Sequence, residues 1–118
     1  MTEVIRHHRE LAAGQWSKLS LAEQLANVGS EVGRMIRWRN RDSRLMNRAF
    51  ERALELLDLT LEDPRWRSRL FEIARARELL CAAALDDGRE YKTSLEDLDC
   101  YFLAFAVAAR NARAHSPA

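Results

Sequence analysis

Two prolines, four glycines and two cysteines are all the punctuation that this chain of 118 residues contains. With so few breakers, the polypeptide has room for long regular elements and few turns between them. β-Branched residues are also scarce and alanine is abundant, a balance that favours helix when summed over windows. The cysteine pair, Cys81 and Cys100, shows no metal-ligand spacing and is too small a set for a secreted disulfide scaffold. Both are expected to be buried, reduced thiols. No run of 18 apolar residues occurs, so no membrane span is expected. The opening MTEVIRHHRELAAG is charged throughout and lacks the apolar centre of a signal peptide, which makes the cytoplasm the expected location. A large charge of either sign is missing too. The formal net charge is +1, which argues against a general nucleic-acid coat.

What is present is arginine: 17 residues against two lysines. Arginine suits bidentate contacts to phosphate and carboxylate. A GC-rich genome would inflate arginine and alanine together and is the plainer cause. Hydrophobic periodicity places helices at about 20–38, 44–59, 64–85 and 94–113, after an N-terminal helical arm at 1–15. Ser20 and Glu23 form a capping box for the first helix. Leu21, Leu25, Val28, Val32 and Met35 are its buried stripe. The turn at 39–42 hands over to Asp42 or Ser43 as the next cap. Asp63-Pro64 opens the third helix and Asp86-Asp87-Gly88 ends it. Ser94 and Asp97 resemble a second capping box. Short connections favour antiparallel neighbours, so the expected fold is one all-α domain, an up-down-up-down four-helix bundle.

Three polar features could carry chemistry. On the first helix, Gln24, Asn27, Glu31 and Arg34 recur at spacings of three and four, with Ser30 beside them. This row is expected to face a partner helix, a ligand or solvent. Arg77 falls on the apolar stripe of the third helix and needs a partner if buried. Glu31 is the candidate, with Arg52 reaching the same carboxylate, which would make a buried Glu31–Arg52–Arg77 network. Finally, Arg37, Arg39, Arg41, Arg44 and Arg48 gather with Trp38 at the tip of the first hairpin. Cations around a stacking ring are the combination that nucleic-acid binders use. The acidic third connection, with Asp86, Asp87, Glu90, Glu96, Asp97 and Asp99, should lie at the same end, either neutralising part of that tip within one chain or pairing with it between chains and so favouring self-association. No nucleophile–base pair or metal-ligand spacing stands inside a helix, and neither metal nor cofactor is expected.

Two resemblances follow from short strings. The segment from Trp16 through LSLAEQLANVGSEVGR to Arg34, then RALELLDLTLEDPRW from Arg52 to Trp66, resembles a family of small uncharacterised bacterial helical proteins. The likeness continues around Glu72–Glu78 and Tyr101–Arg110 and includes Gln24, Asn27, Ser30, Glu31, Arg52 and Arg77. It implies a small helical protein and carries no activity with it. Separately, Arg110 to His115 resembles the Arg-x4–6-His motif of HEPN ribonucleases, which would imply RNA cleavage by that pair. A spacing of five sets the two side chains about 140° apart on a helix.

The expected function is a non-enzymatic interaction or accessory module, self-associating and binding a protein partner. The wide apolar stripes and the three tryptophans, Trp16, Trp38 and Trp66, carry this expectation. The alternatives are an RNA- or DNA-binding accessory protein using the arginine-rich tip at 34–52, and a HEPN-like ribonuclease using Arg110 and His115.

Overall fold

The structure is a computed structural model that describes residues 14–86, 89 and 91–114. Helix α1 spans Leu21–Trp38 and starts at the expected capping box. The Ser20 hydroxyl accepts the Glu23 N–H at 3.1 Å, while the Glu23 carboxylate accepts the Ser20 N–H at 3.0 Å. Leu21, Leu25, Val28, Val32 and Met35 are buried, as their spacing predicts, and Gln24 is buried with them. Asn40 then adopts a left-handed backbone, φ 64°, and reverses the chain. Asparagine tolerates this region better than most residues. Asp42 caps helix α2, Ser43–Glu62, by accepting the backbone N–H groups of Arg44 and Leu45, each at 3.1 Å.

Helix α2 runs three residues past its expected end at 59, because Thr60 stays helical and returns its hydroxyl proton to Leu56 O at 2.9 Å. The expected third helix at 64–85 divides. Pro64–Arg69 is a 3-10 segment, and the α-helix proper, α3, is Leu70–Asp86. Trp66 breaks the run with φ −106° and ψ 23°. The Ser94–Asp97 box forms with the shorter acid: Ser94 N–H donates to Asp97 at 3.0 Å and Asp97 N–H to Ser94 Oγ at 3.1 Å. It opens helix α4, Leu95–Ala114.

These helices make an antiparallel up-down-up-down bundle, with α1 at its centre of gravity, packed chiefly against α2 and α4. The core is Leu25, Val28, Val32, Met35, Leu57, Ile73, Leu80 and Phe102 with their neighbours. Gly29 lets α1 and α4 close together. A Cβ there would lie 2.7 Å from Phe102 Cβ, so only glycine fits at this crossing.

The connection into α4 doubles back along α3. Tyr91 donates to Glu78 at 2.6 Å, and its ring lies under the Arg75 guanidinium, 4.7 Å from centroid to carbon. α4 is therefore staggered, and Tyr101 meets Glu72, in the first turn of α3, at 2.6 Å. The half of α4 beyond Tyr101 runs past the start of α3. The expected arm at 1–15 lies outside the described residues except for 14 and 15, as do Asp87, Gly88, Glu90 and His115. Among the described residues no helix is long and apolar enough to cross a membrane.

Candidate functional site

The sequence singles out a polar row on α1, and the structure splits it. Gln24 is fully buried, whereas Asn27 and Ser30 are exposed and bond back to their own helix, at Glu23 O (2.8 Å) and Ala26 O (3.3 Å). Arg34 turns to Glu31 at 2.6 Å. The expected Glu31–Arg52–Arg77 network does not form. Glu31 takes Arg34, one turn away on its own helix; Arg52 takes Glu55 at 3.2 Å; and Arg77 crosses from α3 to Asp58 on α2 at 2.8 Å. Local partners at i+3 cost less chain ordering than distant ones, and Arg77 is only half-buried, so its charge needs no central carboxylate. The Asp58 carboxylate beside Arg77 strengthens the hold of that guanidinium on its proton.

The buried polar network lies instead at the other end of α1, among residues that the spacing treats as caps or anchors. The Gln24 amide donates to Trp16 O at 2.9 Å and to Asp63 Oδ2 at 3.2 Å, and accepts from Trp66 Nε1 at 3.0 Å. Trp16 Nε1 donates to Thr60 Oγ1 at 3.1 Å. Asp63 accepts the Arg65 backbone N–H at 3.1 Å and clasps the Arg65 guanidinium at 2.7–3.3 Å. Arg65 also reaches Leu19 O at 2.7 Å and lies 4.4 Å from the Trp66 ring centroid. Gln24, Thr60 and Asp63 are the buried polar side chains of the described residues, and all three belong to this hub. The Arg65 guanidinium, above all, holds the Asp63 carboxyl at about 2, below its usual range near 3.8.

No buried side-chain nitrogen or oxygen among the described residues lacks a partner. The hub fixes four chain segments through bonds made within the chain. Trp16 and Trp66 are thereby used internally and do not project as anchors for a partner. The signal for the hub was present as Asp63-Pro64 and as a glutamine between Leu21 and Leu25. What the spacing could not supply was the partner list, since those bonds span 39 to 44 residues.

At the hairpin tip, Arg39 pairs with Glu96 at the start of α4, which is the juxtaposition expected of the basic and acidic ends. Arg37, Arg41, Arg44 and Arg48 are exposed and have no carboxylate within ion-pair distance among the described residues. Arg41 stands 6.0 Å from the ring of the half-buried Trp38.

The cysteines depart from expectation: Cys81 is half-buried and Cys100 exposed. Cys100 opens a run, Cys100 to Ala109, of ten residues without a charge. Such a run is apolar on every side of its helix, and one side alone can face the core. Leu98, Phe102 and Ala109 are buried; Leu103 and Val107 are 58% and 50% exposed. A groove of about 340 Å³ between α3 and α4, lined by Phe71, Ala76, Leu79, Leu98 and Tyr101 among others, adds apolar surface, and Phe71 is 88% exposed. Tyr101 is pushed well above the usual phenol range, by burial first and by its bond to the Glu72 carboxylate second. Its proton stays on, as a donor to Glu72. The HEPN-like pair cannot be assembled from the described residues: Arg110 is exposed on α4 and His115 lies outside them. No family model matches the chain, and no curated protein or solved structure does.

Proposed function

We propose that this chain is a non-enzymatic helical interaction module that associates with further copies of itself and serves a protein partner, with the outer face of α4 as its contact surface. The uncharged ten-residue run Cys100 to Ala109 supports this reading: it is apolar all round, yet its outer side carries Leu103 and Val107 exposed. Exposed apolar surface of this kind marks interaction sites. The polar networks favour the same reading from the other side, since the buried one is satisfied within the chain and leaves no unpaired group for chemistry. Solution mass as a function of concentration tests it. The native chain should gain mass with concentration. Leu103→Glu with Val107→Glu should remain monomeric and keep the helical circular-dichroism signal of the native chain, because both residues are already exposed. A native chain that is monomeric up to its solubility limit overturns the self-association.

The four unpaired arginines at the tip support a second reading, an accessory protein that binds RNA or DNA. Such binding would weaken steeply with salt, by a slope of roughly 0.9 per phosphate contacted on duplex DNA. No binding at low salt removes this reading.

A further inference from the structure

The exposed face of α4 carries an ordered strip. Glu96, Cys100, Leu103, Val107 and Arg110 are all exposed and follow one another at intervals of four, three, four and three. That alternation keeps side chains on one seam of a helix that packs against another. The strip is acidic at its first position and basic at its last, with Leu103 at the middle.

Building on the reading above, we infer that the partner of this strip is a second copy of the same strip, running antiparallel about a two-fold axis beside Leu103. In that arrangement each Leu103 meets its counterpart, Cys100 lies beside the partner's Val107, and Glu96 lies beside the partner's Arg110. A parallel pairing would set Glu96 against Glu96 and Arg110 against Arg110, like charges in both cases. Charge therefore selects the antiparallel form. A two-fold interface is self-complementary by symmetry, and a strip that reads acid, small, leucine, valine, base has that property. Glu96 retains the capacity to serve both arginines. Arg39 of its own chain uses Oε1, and the Glu96 side chain is 52% exposed. Beyond Tyr101, α4 buries Phe102 and Ala109 while Leu103, Val107 and Arg110 are exposed.

Cysteine cross-linking tests the register. In a Cys81→Ala background, Val107→Cys should yield a covalent dimer on mild oxidation, with Cys100 joined to the new cysteine of the partner in the peptide map. The Cys81→Ala chain alone should yield little, since its two Cys100 residues would be offset by about six residues, roughly 9 Å along the axis. Arg110→Glu should weaken association about tenfold, an effect that narrows as salt is raised. If the native chain dimerises through Leu103 and Val107 but Cys100 cross-links readily to Cys100, the antiparallel register is wrong while the interaction reading stands. If the native chain never associates, both fall. Circular dichroism of each variant guards against loss of fold.

Discussion

Gln24 can satisfy its three partners in one orientation only. Turning the amide over would point its oxygen at Trp16 O and the Asp63 carboxylate, and its NH2 at the Trp66 N–H. Gln24→Leu removes three hydrogen bonds and leaves Trp66 Nε1 without its partner, while Trp16 O keeps the Leu19 N–H and Asp63 keeps Arg65, so the expected loss is about 1–3 kcal/mol in urea denaturation. Glu31→Ala, by contrast, removes one pair with the exposed Arg34, whose charge stays in water, and should cost no more than about 1 kcal/mol. Equal losses would mean that the hub is misassigned. Asp63 adds a pH signature. Its folded pKa, about 2, is below its unfolded value near 3.8, so the stability it contributes is present above about pH 4 and disappears as the pH falls toward 2. The loss should be about 2 kcal/mol. Denaturation curves from pH 6 to pH 2, compared with Asp63→Asn, isolate it: the variant should begin less stable and lose less. At this scale the sequence conceals most. Glu31, Arg52 and Arg77 look like one network because a helix wheel shows which face a charge is on and not which neighbour is nearer. Gln24 stands in the same row as Asn27, and only tertiary packing separates the buried amide from the exposed one.

Caps and periodicity make the elements far more legible. Ser20 with Glu23, Asp42, Asp63-Pro64 and Ser94 with Asp97 each begin a helical element where the side chain can take a free N–H. The errors are physical in origin. α2 outruns 59 because Thr60 has a helical carbonyl to bond, and the helix expected from 64 opens as 3-10 because Trp66 leaves helical φ/ψ on its way to Gln24. Contact between α1 and α4 gives two glycines of one helix opposite fates. Gly29→Ala places a Cβ 2.7 Å from Phe102 Cβ, and the resulting overpacking should outweigh the gain in helix propensity, for a net loss of about 1–2 kcal/mol. Gly33→Ala meets nothing nearer than Asp99 Oδ1 at 3.8 Å, so propensity prevails and the helix gains about 0.5–1 kcal/mol. Melting temperatures shifted in opposite directions are the expected result; a shared direction would contradict the close crossing.

Considered whole, the molecule is unevenly held. α1 is gripped on two sides, by α2 and α4, whereas α3 buries only Ile73, Ala76, Leu80 and Ala83 and meets its neighbours sparsely. The bundle class was legible from helix count and loop length, but this imbalance was not, because it follows from the stagger that Tyr91 and Tyr101 impose. The hub sharpens the imbalance. Trp16 bonds Thr60, and Gln24 bonds Asp63 and Trp66, so the stretch from 16 to 66 is tied at its own ends, independently of all that follows. A chain closed on itself in this way has a natural order of events. Native-state amide exchange should find the protons of α1 and α2 released only by global unfolding, while those of α3 escape through a smaller opening that leaves 16–66 intact. Uniform protection along all four helices would contradict this. During synthesis the same closure could be completed as soon as residue 66 is available, with the second hairpin then settling onto a half that is already knotted shut.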